Sequence, residues 1–281
     1  MSVDQATLAQ FEMMINALMS NDNNMRSQAE AAFNQAKANP NALMASLITM
    51  LRSNQSEQVR SLCAVLMRKA VMQSASQSGD SLIKSLDPGV ADTLKKELLA
   101  CIEAEPQRNI RKKVCDAVGQ LGINLLSENM SAWPELLPFM LAATKSGNVN
   151  MHEAALTIFN AFSEFISEKM VPYHATLLEV FRASLQPDQA MLVRVAALKA
   201  LASFLLALTE TGSRNAFQDL VPLMLQTIAD ALSNNDEGEV RSALEVFVEV
   251  AESQPKFLKV REGERARGRR RPRLGARSDP R

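Results

Sequence analysis

The chain has 281 residues, of which 47% are apolar and only 5% aromatic, with 10 glycines and a formal net charge of zero. This composition argues against a β-sandwich or barrel core, which needs more aromatic side chains and more glycine-rich turns, and it favours an all-α fold. The first residues lack the order of a signal peptide, and no apolar run is long and uncharged enough to cross a bilayer, so we expect an intracellular protein.

An internal repeat organises the chain. Six times, an apolar residue followed by a basic one opens an amphipathic helix, at intervals of 34, 51, 41, 42 and 47 residues. The pairs are Met25-Arg26, Val59-Arg60, Ile110-Arg111, Met151-His152, Val193-Arg194 and Val240-Arg241. Intervals of this size suit units of two antiparallel helices that stack on their neighbours. The sequence therefore predicts an α-solenoid of about six helix pairs, which is a binding surface rather than a catalyst.

Caps and helix breakers place the units along the chain. Pro40 ends the first unit, a serine-rich loop over 74–87 follows the second, Asp87-Pro88 opens the third, and Trp133 begins the fourth. The units lie near 4–38, 41–73, 88–126, 133–167, 170–208 and 214–253. Their first helices are predicted near 4–19, 41–52, 88–103, from 131–138 onward, 171–185 and 214–232. Their second helices are predicted near 24–38, 57–73, 107–126, 148–166, 189–208 and 237–252.

A polar residue stands six positions before the basic residue in units two to six. These residues are Asn54, Glu105, Ser146, Asp188 and Asn235. Such a side chain can cap the turn between the two helices, while the basic residue donates hydrogen bonds to it or to the next turn. We therefore assign the basic residues to a structural ladder rather than a ligand-binding stripe, and HEAT repeats carry a similar device. The ladder residues are Arg60, Arg111, His152, Arg194 and Arg241.

The other reactive residue types give no catalytic pattern. Trp133 is the only tryptophan and is expected to staple the entering chain onto a helix. His152 and His174 have no nucleophile or carboxylate constellation around them, and there is no phosphate-binding loop. The three cysteines stand singly in helical patterns and read as core residues. We expect no enzyme activity, no metal and no cofactor.

Several motifs occur in an order that points to a family. The run Met25-Arg26-Ser27-Gln28-Ala29-Glu30, then Pro40 and the apolar stretch 43–51, resembles the N-terminal segment of the importin-β (karyopherin-β) family. Four further motifs, in the same order, resemble the importin subunit beta-3 branch of this family. They are Arg111-Lys112-Lys113-Val114-Cys115-Asp116, Trp133-Pro134-Glu135, Glu153-Ala154-Ala155-Leu156 with Ile158-Phe159, and Pro255-Lys256-Phe257-Leu258. The resemblance covers about residues 1–260 and implies a right-handed HEAT-repeat solenoid, truncated relative to a much longer receptor.

The resemblance also implies partners. Family members bind the GTPase Ran in its GTP state on the inner helices of the first units, and they bind basic import cargo. They accept nucleoporin Phe-Gly repeats in outer grooves, expected here around units five and six, and they shuttle between cytoplasm and nucleus. The residues expected to contact Ran are Arg68, Lys69, Arg111, Lys112 and Lys113. The alternative is a HEAT-repeat scaffold that assembles other proteins without binding Ran.

The last residues have a different composition from the rest of the chain. Residues 261–281 contain nine arginines and three acidic residues, so they carry a charge of +6 and residues 1–260 must carry −6. An acidic body suits a receptor for basic cargo. The arginine-rich tail is expected to be disordered; it would bind nucleic acid or act as a basic import signal, while read-through of an intron or a shifted frame is the favoured origin.

Overall fold

The computed structural model of the chain describes residues 3–72, 74–75, 80–127, 129–233 and 237–258. The arginine-rich tail predicted at 261–281 lies outside the described residues. The helices are, in chain order, α1 (Gln5–Leu18), α2 (Asn23–Ala36), α3 (Pro40–Ser53), α4 (Glu57–Met72), α5 (Pro88–Ala104), α6 (Arg108–Leu126), α7 (Leu136–Lys145), α8 (Val149–Ile166), α9 (His174–Ser184), α10 (Met191–Ala207), α11 (Thr211–Asn215), α12 (Val221–Ser233) and α13 (Glu237–Ser253).

The helices form two layers. The second-helix layer consists of α2, α4, α6, α8, α10 and α13, and within it α4, α6, α8, α10 and α13 pack side by side in that order. The first-helix layer consists of α1, α3, α5, α7, α9 and α12, each of which packs on its partner in the other layer. The predicted all-α solenoid is confirmed, because each helix pair buries its apolar stripe against the pairs beside it.

Side-chain caps fix the beginnings of several helices. The Asp4 carboxylate accepts the backbone N–H of Thr7 at 2.9 Å, and the Asn39 side chain accepts that of Ala42 at 3.2 Å. Pro40 is the first residue of α3, where its missing N–H costs nothing, so it opens a helix as well as following one.

The predicted cap at Asp87 differs from the structure. Its carboxylate makes no cap bond to the backbone of α5 and instead accepts the Asn41 amide at 2.9 Å. The Asn41 oxygen in turn accepts the Asp87 backbone N–H at 3.0 Å. Asp87 therefore joins the second helix pair to the third.

In three segments the secondary structure is less regular than the sequence predicted. The loop expected over 74–87 contains two short antiparallel strands, β1 (Ser74–Ala75) and β2 (Asp80–Ser81), and a 3₁₀ turn. The helix expected over 171–185 begins as a 3₁₀ segment, because Pro172 cannot donate a hydrogen bond, and becomes α-helical only at α9. The helix expected over 214–232 is divided into α11, a 3₁₀ turn and α12.

The core runs along the whole array as a continuous slab. Ring-to-ring contacts among the described residues lie in the last three helix pairs, where Phe204 and Phe217 pack edge to face with centroids 5.5 Å apart. Trp133 is 1% exposed, as expected for a residue that staples a helix start. The three cysteines are free and buried, and burial raises the pKa of Cys63 and of Cys101 to about 12, so both remain thiols at neutral pH.

Candidate partner-binding surfaces

The basic residues of the repeat bind the turn before their own helix. Arg60 donates to the backbone oxygen of Asn54 at 3.0 Å, and Arg111 donates to that of Glu105 at 2.8 Å. Each acceptor lies six residues upstream, where the preceding helix has ended, so the guanidinium replaces a backbone donor that this carbonyl lacks. The polar residue thus accepts the arginine through its main chain, and its side chain caps the turn as predicted, because the Asn54 and Glu105 side chains each accept a backbone N–H two residues further on.

The same residues also reach the next helix pair. Arg60 Nε lies 2.9 Å from the Glu105 carboxylate, and Arg111 donates to the Asn150 side chain at 2.8 Å. His152 Nε2 lies 2.7 Å from Ser184 Oγ. The predicted ladder positions in the second, third and fourth pairs therefore each contact the pair that follows.

Of the last two predicted ladder residues, only Arg194 contacts the next pair among the described residues. It pairs at 2.7 Å with Asp230, which lies on α12, rather than with Asp188. Arg241 pairs only with Glu245 of its own helix among the described residues, and its side chain is 83% exposed. Asn235, the upstream partner expected for Arg241, lies outside the described residues.

A second ion-pair cluster joins α6 and α8 at the same end. Glu153 is 2% exposed, and Arg108 Nε lies 3.0 Å from each of its carboxylate oxygens. Lys112 Nζ lies 3.4 Å from the same carboxylate. A buried carboxylate needs such partners, since an unpaired charge in the interior is strongly destabilising. The sequence indicated Glu153 only as part of a family motif.

A further set of links was missed by the sequence analysis because it uses no repeated residue type. These links bind carbonyls at the C-terminal ends of the second helices. Asn124 donates to Val71 O at 2.8 Å, and Lys169 donates to Leu126 O at 3.0 Å. Carbonyls at helix ends have no partner within the helix, so these side chains satisfy them from the neighbouring pair.

The five residues expected to contact Ran occupy different environments. Arg68 is half exposed and its Nη1 lies 4.0 Å from Asp116 Oδ2, while Lys69 is exposed. Lys112 keeps a third of its side chain exposed beside Glu153, and Lys113 donates to Ser61 of α4.

Arg111 has to be removed from this set. It is 4% exposed, and its guanidinium is held by the two hydrogen bonds described above. A side chain that is buried and hydrogen-bonded in this way has no surface to offer a partner. Arg68, Lys69 and Lys112 remain as candidates on the solvent side of α4 and α6.

An apolar groove opens between α7 and α9 in the first-helix layer. Its volume is about 450 Å³. Its lining includes Pro138, Leu141, Phe159, Tyr173 and Leu177. The outer groove was expected around units five and six, but this one lies between the fourth and fifth helix pairs, and Pro134 and Pro138 are among its lining residues.

The corresponding groove between α3 and α5 is smaller and is crossed by an ion pair. Arg52 forms an ion pair with Glu97 across it, and its volume is only about 220 Å³. The two grooves therefore offer different chemistry although they occupy equivalent places in the repeat.

The described part of the chain gives no sign of a metal centre or a membrane span. None of its clusters of histidine, cysteine and acidic side chains could hold a metal ion, and none of its helices is both long and apolar enough to cross a bilayer.

Comparison with known proteins identifies the family. A family model described as "IPO5-like, TPR repeats" matches residues 106–261, which is more than half of the chain. The chain belongs to the importin-5-like group of the importin-β family. Members of this family are transport receptors rather than enzymes, so this membership confirms the prediction of a protein without catalytic activity.

Two relatives agree with this importin family membership. A probable importin-5 homolog of Dictyostelium discoideum is 28% identical over 249 residues, covering 88% of this chain and 23% of that protein. Importin subunit beta-3 of Saccharomyces cerevisiae is 26% identical over 257 residues, covering 88% of this chain and 22% of that protein. The chain thus spans less than a quarter of the length of these relatives.

A solved importin structure gives the same fold. Kap121p bound to RanGTP superposes with a TM-score of 0.72 at 25% identity, covering 91% of this chain and 23% of that protein. Kap121p has also been solved bound to Nup53p. Those complexes describe Kap121p, and this chain corresponds to less than a quarter of it.

Proposed function

We propose that this chain is part of a nuclear transport receptor that binds Ran in its GTP state and carries protein cargo between cytoplasm and nucleus. The observation that carries the proposal is the match of nearly the whole array to a receptor solved with RanGTP. We also propose that residues 1–260 act as one HEAT-repeat array and that residues 261–281 form a separate basic segment.

The candidate Ran surface lies on α4 and α6. Lys69 makes no hydrogen bond or ion pair with the described residues, and Arg68 makes only a loose one with Asp116. Burial raises the pKa of Asp116, while Arg68 and Lys112 oppose the rise. Arg68 and Lys69 are therefore only weakly engaged within the array and are available for charged groups of a partner, whereas Lys112 is paired with Glu153.

Two variants of the full chain test the Ran surface. Arg68→Glu/Lys69→Glu should weaken binding of GTP-loaded Ran at least tenfold, because a reversed charge repels the group that the native one attracts. The matched control is Lys96→Glu/Lys145→Glu, which makes the same charge change at exposed positions of α5 and α7. Affinity is measured by biolayer interferometry, with circular dichroism as the folding check.

The same assay separates the proposal from a Ran-independent scaffold. A receptor must bind GTP-loaded Ran more tightly than GDP-loaded Ran, whereas a scaffold binds neither form. Equal affinity for the two nucleotide states, or no binding by the native chain, would refute the proposed Ran contact. Equal losses in both variant pairs would refute the placement on α4 and α6.

The groove between α7 and α9 is proposed as a site for nucleoporin Phe-Gly segments. Its volume is within the range of pockets that enclose small ligands, and its lining is almost wholly apolar. An aromatic side chain flanked by glycine can enter such a groove without bringing charge into it. The solved complex of Kap121p with Nup53p supports a nucleoporin as a partner for the family.

Basic import cargo is the third proposed partner. Residues 1–260 carry a net charge of −6, so the array attracts cationic segments over distances comparable to the Debye length. Nucleic acid remains a proposed partner only through the arginine-rich segment 261–281.

A further inference from the structure

One carboxylate of the second-helix layer differs from the others in its hydrogen bonding. Of the six carboxylates that are buried or partly buried in the described part of the chain, five accept a hydrogen bond. These five are Glu12, Glu97, Glu105, Glu153 and Asp230. The sixth, Asp116 on α6, accepts none within the same part of the chain, and its ion pair with Arg68 Nη1 is 4.0 Å long.

Asp116 lies where α6 faces α4, on the proposed Ran surface. Its side chain is 43% exposed, so solvent reaches the carboxylate in the free chain. Burial of the rest of the group raises the pKa of Asp116, and the charges of Arg68 and Lys112 offset this rise only in part. The array therefore contains a carboxylate whose negative charge its own residues do not fully stabilise.

A partner that covers α4 and α6 has to satisfy this carboxylate. Docking displaces the solvent around Asp116, and a charge left unpaired in an interface weakens binding. Arg68 is too far away to donate a hydrogen bond, and Lys112 is paired with Glu153. The donor must therefore come from the partner. A lysine or arginine suits the position best, because a cation both donates a hydrogen bond and balances the charge.

We propose that Asp116 is a binding residue of the Ran surface and accepts a lysine or arginine side chain of the partner. The inference rests on the proposed Ran contact and refines it, because Arg68 and Lys69 alone would select only acidic groups. With Asp116 beside them, the surface selects a segment in which a basic side chain stands next to acidic ones. A uniformly acidic segment would place a like charge against Asp116 and is disfavoured.

The sign of the effect of one substitution tests this role. Asp116→Asn keeps the shape of the side chain and removes one negative charge. If the surface attracted only acidic groups, this variant would bind GTP-loaded Ran more tightly. Because Asp116 accepts a cation in the proposed complex, we expect the affinity of the full chain in biolayer interferometry to fall at least about fivefold. Asp116→Glu keeps the charge and should retain more of the affinity than Asp116→Asn.

Asp219→Asn is the matched control. It makes the same charge change at an exposed position in the turn before α12, and its affinity should stay within about twofold of the native value, because salt screens distant charges. Thermal unfolding followed by circular dichroism checks the fold. Asp116→Asn should not lower the melting temperature, because the Asp116 carboxylate accepts no hydrogen bond from the described residues.

Unchanged or increased affinity of Asp116→Asn would overturn the inference, and an increase would mean that Asp116 competes with Ran for Arg68. An equal loss in Asp219→Asn would overturn it in favour of an effect of total charge. If the native chain does not bind GTP-loaded Ran, the proposed function fails and the role of Asp116 fails with it. If the native chain binds and Arg68→Glu/Lys69→Glu does not, normal binding by Asp116→Asn refutes only the role of Asp116.

Discussion

Gly119 lies so close to Ala161 that a Cβ on Gly119 would stand 2.3 Å from the Ala161 Cβ. The two residues lie at a close approach of α6 and α8, with only backbone on one side. The third and fourth helix pairs can therefore pack this closely at Gly119 only because it has no side chain.

Gly119→Ala should destabilise the chain by about 1–3 kcal/mol, because the helices must separate to admit the new methyl group. Gly89→Ala is the control: a Cβ there meets nothing within 4 Å, so the substitution should be neutral or slightly stabilising. The free energy of urea unfolding measures both. Restoring space with Ala161→Gly in the Gly119→Ala background should recover part of the loss; no recovery would contradict the close approach as its cause.

Arg111→Met should cost about 2–4 kcal/mol of stability, because the Glu105 carbonyl and the Asn150 side chain lose a buried charged donor. Arg241→Met should cost less than about 0.5 kcal/mol, since its side chain is 83% exposed. Thermal unfolding compares the two variants. Similar losses of stability in the two variants would mean that burial does not determine how much each repeated arginine stabilises the fold.

Leu141→Glu should abolish binding of a Phe-Gly peptide while leaving the melting temperature nearly unchanged, because Leu141 lines the α7–α9 groove and is already 36% exposed. Leu225→Glu is the matched control on α12, where the leucine is 49% exposed and lies outside the groove lining. Binding is measured by fluorescence anisotropy of a labelled Phe-Gly peptide. Undiminished binding by Leu141→Glu would exclude this groove as the site.

Stability should decrease as the pH falls from about 7.5 to about 5.5. Burial lowers the pKa of His152 and of His174 below the value of 6.5 that a free histidine has. The unfolded chain therefore binds more protons in this range, so the free energy of unfolding falls as pH drops through about 6.5.

His174→Phe should reduce this pH dependence and should not destabilise the chain at neutral pH. The His174 ring packs edge to face on Phe204 and Phe217, and its Nε2 is buried without a partner among the described residues. Phenylalanine keeps the packing and removes the unsatisfied nitrogen. Urea unfolding at the two pH values measures the slope; an unchanged slope would assign it to His152 or to carboxylates.

The local pattern of the sequence determined most of the helices, because the period of apolar residues and the caps at their ends act within a few positions of each other. Asp4, Asn39 and the apolar-basic pairs are features of this kind. The all-α fold and the importin family could be predicted for the same reason, since they depend on repeated local motifs and their order.

Only the tertiary structure decided which basic residues are exposed to solvent and accessible to a partner. Arg111 and Lys112 are adjacent in sequence, yet one is buried between two turns and the other is partly exposed, because their environments depend on side chains about 40 residues away. The links made by Asn124 and Lys169 and the place of the groove between α7 and α9 also depend on how neighbouring pairs are offset. That offset is set by close contacts such as Gly119 with Ala161, which local periodicity does not encode.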